Sequence, residues 1–282
     1  PAPAIADDAP LIRIVQPNIA QLDKWRRELR GAHFSNLLDL SSRPAARPVA
    51  LLVWPETATP FDLSTDADSR RVIAARALAP GAAAAIGTPR RDDDGRVRNS
   101  LVAVGDDGGV RAIYDKHHLV PFGEYVPFGA YLPFGGLVGG GFAEGPGPRL
   151  LDVAGLKLAP LICYEAIFPR YAGAGGERPD LLVNITNDAW FDDSPGPRQH
   201  VVASLYRAIE QGVPLVRAAN TGVSLVADAR GRILEQLDFG ARGVIDRPAP
   251  AAFETPPPAS YAPLAIPLVL SLFACVLAYR RS

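Results

Sequence analysis

Leu158-Ala159-Pro160-Leu161-Ile162-Cys163-Tyr164-Glu165 is a short apolar run that closes on a thiol and a carboxylate. A run of that length reads as a buried strand delivering its last side chains to the rim of a sheet. The chain has two cysteines, and the other, Cys275, lies in a long apolar tail, so a disulfide partner for Cys163 is not expected. Further Cys or His at ligand spacing does not follow, so no metal site is expected either. On this octet alone Cys163 is either a small buried core residue or a nucleophile. The choice rests on whether the rest of the chain supplies a base and a cation.

Outward from the octet, apolar runs and helical spacings interleave. Residues 11–19 alternate like a strand, and 21–40 carry helical spacing through Leu22, Trp25, Leu29, Phe34, Leu37 and Leu38. A continuous apolar run over 49–54 is stopped by Pro55 and followed by Glu56. A helix is expected over 65–79 and strands over 82–87, 100–104 and 110–114, with turns at 92–95 and 106–109. Regular periodicity disappears over 116–147, a Gly-, Pro- and aromatic-rich stretch whose length suits a functional loop. Strands resume at 150–153 and 157–163, with a short helix after Glu165. They continue at 181–186, 215–219, 223–228 and 233–237, with a helix over 199–211. This order predicts an α/β fold, a sandwich of two mixed sheets with helices outside.

Length and charge narrow the class. A chain of 282 residues buries a full core, and a formal net charge of −1 gives no argument for nucleic acid. The 28 prolines and 26 glycines fall at element ends, which is loop chemistry rather than disorder. The chain starts at Pro1 and has no methionine, from which a longer parent protein is expected. Residues 261–279 carry no charge, are bracketed by Tyr261 and Tyr279, and are followed by Arg280 and Arg281. That pattern predicts a transmembrane helix with a cytoplasmic C-terminus, the globular part lying on the opposite, periplasmic face. A buried hairpin or core helix is the other reading of this segment. The expected division is a linker over 1–10, a catalytic domain over 11–247, a Pro-rich linker over 248–260, the span over 261–279 and a tail over 280–282.

Three predicted strand ends carry reactive groups: Glu56, Lys116 and Cys163. A thiol attacks a carbonyl as thiolate, a carboxylate can take its proton, and an ammonium steadies the oxyanion. Each residue also has a plain reading, Glu56 as a helix cap and Lys116 as a loop lysine. His117 or His118 paired with Cys163 is a rival arrangement.

Trp54-Pro55-Glu56, Tyr114-Asp115-Lys116 and Cys163-Tyr164-Glu165 resemble the three signatures of the nitrilase superfamily. The stretch from Lys116 to Phe128 is similar to the apolipoprotein N-acyltransferase branch. So are Asn187 to Phe191 with Asp193, Ser194, Gly196, Pro197, Gln199 and His200, and Arg217 to Gly222. The resemblance implies Glu56 as general base, Lys116 as oxyanion stabiliser and Cys163 as nucleophile. It further implies that Glu124 positions Lys116 and the base, and that Glu165 and Tyr164 support the site. Tyr125, Phe128, Trp190 and Phe191 are expected as substrate-binding or lid residues, with a core role open for Trp190 and Phe191.

The implied reaction moves an acyl chain from a membrane phospholipid, phosphatidylethanolamine in the branch, through a thioester to the α-amino group of a diacylglyceryl apolipoprotein. A monomer in the bacterial inner membrane without cofactor is the corresponding expectation. The uncharged stretch 125–142 suits contact with lipid. Two departures stand out: the branch has membrane helices before its catalytic domain, and Asp192 occupies a position where it usually has glycine. The alternatives are a nitrilase-type amidase hydrolysing a small amide, and a membrane-anchored binding protein without catalysis.

Overall fold

In the computed structural model, residues 3–125, 141–172, 177–191 and 194–258 are described, together with Leu270, Ser271 and Phe273. Phe128, Asp192 and nearly all of the span expected at 261–279 lie outside these residues. Among the described residues no helix is long and apolar enough to cross a membrane.

The strands are β1 (Leu11–Gln16), β2 (Val49–Val53), β3 (Ala83–Arg91), β4 (Val97–Gly105), β5 (Val110–Asp115), β6 (Leu151–Val153), β7 (Leu156–Ile162), β8 (Leu181–Thr186), β9 (Leu215–Ala219), β10 (Ser224–Ala227), β11 (Ile233–Leu237) and β12 (Gly243–Pro248). The helices are α1 (Arg30–Ser41), α2 (Ala67–Ala77) and α3 (Gly196–Gln211). One sheet runs β12-β1-β2-β3-β4-β5 and the other β11-β10-β9-β8-β7-β6. Each has a parallel trio at its centre, β1-β2-β3 and β7-β8-β9, with antiparallel neighbours outside.

Strand alternation explains the layering. In β2, Leu51 and Val53 face the other sheet with Ile14, Leu101, Ile162, Val183 and Val216, whereas Leu52 turns outward to Leu37, Leu40 and Ile73 of α1 and α2. The second sheet does the same, with Leu161, Leu182 and Leu215 turned toward Val201 and Ala208 of α3. Both faces of the central strands are covered, which is why they read as continuous apolar runs rather than alternating ones. α2 starts where the Asp66 side chain accepts from the Ser69 N–H. α3 ends at Gly212, whose φ of 62° closes the helix in the left-handed conformation.

One expectation is corrected, and one strand was not foreseen. Residues 21–25 form a turn, with Lys24 N–H bonded to the Ala20 carbonyl, and helix α1 begins only at Arg30. Leu22 and Trp25 were expected on its buried face, yet both are exposed, while Lys24 is buried. The short helix expected after Glu165 is a single 3-10 turn, Pro169–Tyr171, which follows a first one over Cys163–Ile167. β12 was not expected at all. It pairs antiparallel with β1, tied by the Arg13–Asp246 ion pair, and its alternate polar residues hide it in the sequence.

Candidate active site

β2 leads into Trp54, whose indole N–H donates to Ser41 Oγ, and Pro55 then ends the strand. This turn rests on Gly87 of β3, where a Cβ would lie 2.3 Å from the Pro55 carbonyl oxygen and 2.6 Å from Glu56 Cα. Glu56 is buried. Its Oε1 accepts from Asn99 Nδ2 at 2.6 Å and lies 3.7 Å from Lys116 Nζ, and its Oε2 accepts from the Asn187 N–H at 2.9 Å. The carboxylate is thus spent in the site and not on capping a helix.

Lys116 follows β5 and is 1% exposed. Its ammonium lies 2.8 Å from Glu124 Oε2 and 2.9 Å from Oε1, and Glu124 Oε2 also accepts from the Val120 N–H. Burial alone would lower the Lys116 pKa, but the charges of Glu56, Cys163 and Glu124 outweigh it and hold the ammonium above its ordinary range. Asn99, from β4, joins the two carboxylates, because its Nδ2 donates to both Glu56 and Glu124 Oε1.

Cys163 follows β7 on the other sheet, with a φ of 48°, a left-handed backbone that a non-glycine residue rarely adopts. Glu165, two residues on, fixes this turn. Its Oε2 accepts from the Ile162 N–H and its Oε1 from Tyr114 Oη, His117 N–H and His118 N–H. One buried carboxylate therefore joins the end of β7 to the chain leaving β5. Burial raises the Glu165 pKa, although four donors oppose the shift. Burial and then the negative Glu56 push the Cys163 thiol up to about 12, while Lys116 and a hydrogen bond with the Thr186 side chain pull it down. At neutral pH the resting group is a thiol, so attack requires an adjacent base.

Glu56, Lys116 and Glu124 thus form one assembly through Asn99, Glu165 ties the Cys163 turn to the chain just after Lys116, and the charges of Glu56 and Lys116 act on Cys163. Tyr164 is half-buried, with its ring tilted against His118 and edge-on to Phe168. The imidazoles of the rival arrangement are engaged elsewhere, His117 Nδ1 with the Gly145 carbonyl and His118 Nδ1 with Tyr171 Oη. Tyr125, Trp190 and Phe191 are exposed.

Sequence reasoning assigned no role to several polar residues around this centre. Lys24 is buried and donates to the Glu56 carbonyl at 3.1 Å. Burial lowers its pKa to about 8, partly offset by Glu56 and Cys163. Asp188, His200 and Arg217 form a buried cluster beneath Cys163. A lone charge inside an apolar strand, as Arg217 is within Leu215–Ala219, is the signal that marks such a group. Side-chain atoms of Cys163, Asp188 and His200 lie within 4.8 Å of one another. Both His200 nitrogens and both Asp188 oxygens are already engaged, so a cation would have to break existing hydrogen bonds to enter.

The model for the carbon-nitrogen hydrolase family matches residues 11–249. The chain belongs to that family. Solved carbon-nitrogen hydrolases share its fold. A superfamily protein from Xanthomonas campestris aligns with a TM-score of 0.63 at 23% identity, over 85% of this chain and 89% of that one. A Nesterenkonia amidase aligns with a TM-score of 0.63 at 22% identity, over 88% and 94%. Sequence similarity is higher to two apolipoprotein N-acyltransferases. The one from Rhodopseudomonas palustris is 42% identical over 260 residues, 86% of this chain and 48% of that protein. The one from Bradyrhizobium diazoefficiens is 40% identical over 289 residues, 96% of this chain and 53% of that protein. The chain spans about half the length of these curated relatives.

Proposed function

We propose that this carbon-nitrogen hydrolase domain is the catalytic part of an apolipoprotein N-acyltransferase. The observation that carries the choice of a lipid substrate is a set of exposed large apolar side chains on the segments that carry the site groups. Leu22, Phe122 and Trp190 are 92%, 78% and 70% exposed. Each lies within a few residues of a site group: Leu22 near Lys24, Phe122 near Glu124, and Trp190 near Asp188. Large exposed apolar side chains on the segments that carry the site groups fit acyl chains or a bilayer surface better than a small polar amide. The similarity to the two acyltransferases supports the same reading.

In the first step Cys163 attacks the ester carbonyl of a phospholipid such as phosphatidylethanolamine. Glu56 takes the thiol proton as the sulfur–carbon bond forms, and Lys116 donates to the oxyanion. The carbon–oxygen bond then breaks, and the departing lysophospholipid oxygen takes the proton from Glu56. In the second step the free α-amino group of a diacylglyceryl apolipoprotein attacks the thioester. Glu56 accepts the amine proton and returns it to the leaving sulfur, which yields an amide and the free enzyme. Glu124 holds Lys116, and Glu165 with Tyr164 holds the nucleophile turn. Tyr125, Phe128, Trp190 and Phe191 contact the lipid. The domain works at the periplasmic face of the bacterial inner membrane, anchored by residues 261–279.

The full-length protein incubated with acyl-labelled phospholipid tests this. Label on Cys163 that hydroxylamine releases, absent in Cys163→Ala, and passing to a diacylglyceryl lipopeptide, is the expected result. Equal label in Cys163→Ala overturns the reading. Rapid discharge to water with no transfer to the amine favours an amidase-type hydrolase instead.

A further inference from the structure

His200 lies on α3, and its ring is held from both sides. Nδ1 is 2.9 Å from Asp188 Oδ1, and Nε2 is 2.9 Å from the carbonyl oxygen of Cys163. A carbonyl oxygen can only accept, so Nε2 carries a proton. Asp188 is ionised: although burial opposes it, the Arg217 guanidinium holds its carboxyl below the usual range, and Arg217 Nη2 donates to its Oδ2. A carboxylate also only accepts, so Nδ1 carries a proton as well.

The competing arrangement leaves Nδ1 bare to accept from Arg217 Nη2, which lies 3.3 Å away. That would set a nitrogen lone pair 2.9 Å from a carboxylate oxygen, and the shorter contact decides against it.

We propose that His200 is a positioning residue held as an imidazolium, which fixes the left-handed backbone of Cys163 through its carbonyl and sets a positive charge beneath the nucleophile. The inference deepens the acyl-transfer reading of the site and rests on Cys163 being its nucleophile. The charged groups facing the ring are Asp188 after β8 and Arg217 on β9, while Thr186, Asn184 and Ser204 complete the cluster as neutral partners. Two cations against one carboxylate give this cluster a net positive charge. Such a charge favours the thiolate, against burial and the charges of Glu56 and Asp188, all of which push the thiol up. The bonded carbonyl belongs to the peptide unit that ends in the Tyr164 N–H. Donation to it polarises that amide and makes the N–H next to the nucleophile a stronger donor.

Two measurements that need no lipid test this, so failure of acyl transfer would leave them readable. In this chain labelled with 15N-histidine, one of its four histidines is expected to show two protonated ring nitrogens at pH 7 and to be lost in His200→Gln. A single protonated nitrogen on His200 overturns the proposal. If His200→Gln does not fold, subtraction of His33, His117 and His118 by substitution makes the same assignment. Alkylation of Cys163 by iodoacetamide, followed by mass at the Cys163 peptide so that Cys275 is excluded, is expected to slow about tenfold in His200→Gln. Gln keeps a donor but no charge, so an unchanged rate in folded His200→Gln overturns the electrostatic role.

Discussion

The side-chain amide of Asn99 donates to Oε1 of Glu56 across 2.6 Å. The same nitrogen donates to Glu124 at 3.0 Å, so one NH2 group separates and satisfies two carboxylates. The reverse orientation would turn Oδ1 toward both anions. Asn99→Asp places a third carboxylate there and is expected to lower the rate of Cys163 acylation by about a hundredfold or more, read as acyl-label appearance. Asn99→Ala should cost less, because it removes the bridge without adding charge.

Cys163 and Glu56 are coupled in opposite directions by two assays. Because Glu56 helps to hold the thiol up near 12, Glu56→Gln should lower the thiol pKa and speed alkylation by iodoacetamide. The same substitution removes the base and should abolish lipid-dependent acylation. In the wild type, alkylation should rise about tenfold per pH unit below pH 10, as expected for a thiolate fraction far from saturation. A slower alkylation in Glu56→Gln would contradict this account.

Lys24 makes stability depend on pH in a defined window. Its native pKa of about 8 lies below the ordinary 10.5, so between these values the unfolded chain holds a proton that the native chain has lost. Stability from this group therefore rises with pH across that window. In Lys24→Met the rise should disappear, which shifts the stability difference between the two proteins by up to about 3 kcal/mol in favour of wild type from pH 8 to 10.5. Urea titrations at the two pH values measure it.

Glu165 receives donors on both oxygens, so Glu165→Gln must turn an NH2 toward either the Ile162 N–H or the Tyr114, His117 and His118 donors. The expected loss is about 1–3 kcal/mol of stability together with most activity, read by thermal unfolding and acyl labelling.

Gly87→Ala tests the close approach behind the base. Its Cβ would overlap backbone atoms that cannot rotate away, so the Pro55-Glu56 turn must shift. A displacement of that kind is expected to cut acylation by about a hundredfold with the fold retained.

The sequence showed the layers because buried parallel strands leave unbroken apolar runs, and 181–186 and 215–219 matched β8 and β9 residue for residue. The reactive trio was legible because each member follows a strand end in the sequence. Asn99, Asp188 and Arg217 were not assigned roles. Their importance comes from partners 25 to 43 positions away, such as Asn99 with Glu124 and Glu56 or Arg217 with Asp188. Lys24 was hidden for the same reason: spacing placed it on a helix, whereas a bond to the Glu56 carbonyl holds it in a turn. β12 depends on its pairing with β1, a contact with no local signature.

Glu56, Asn99 and Lys116 are mounted on one sheet and Cys163, Asp188 and Arg217 on the other. The gap between thiol and carboxylate is therefore set by the thickness of the apolar filling between the sheets, by residues such as Val53, Leu101, Ile162 and Val183. A methylene removed from that filling lets the halves settle closer or slide, and catalysis would register the change before unfolding does. Residues that never meet substrate thus act as the spacer that gauges the reaction distance.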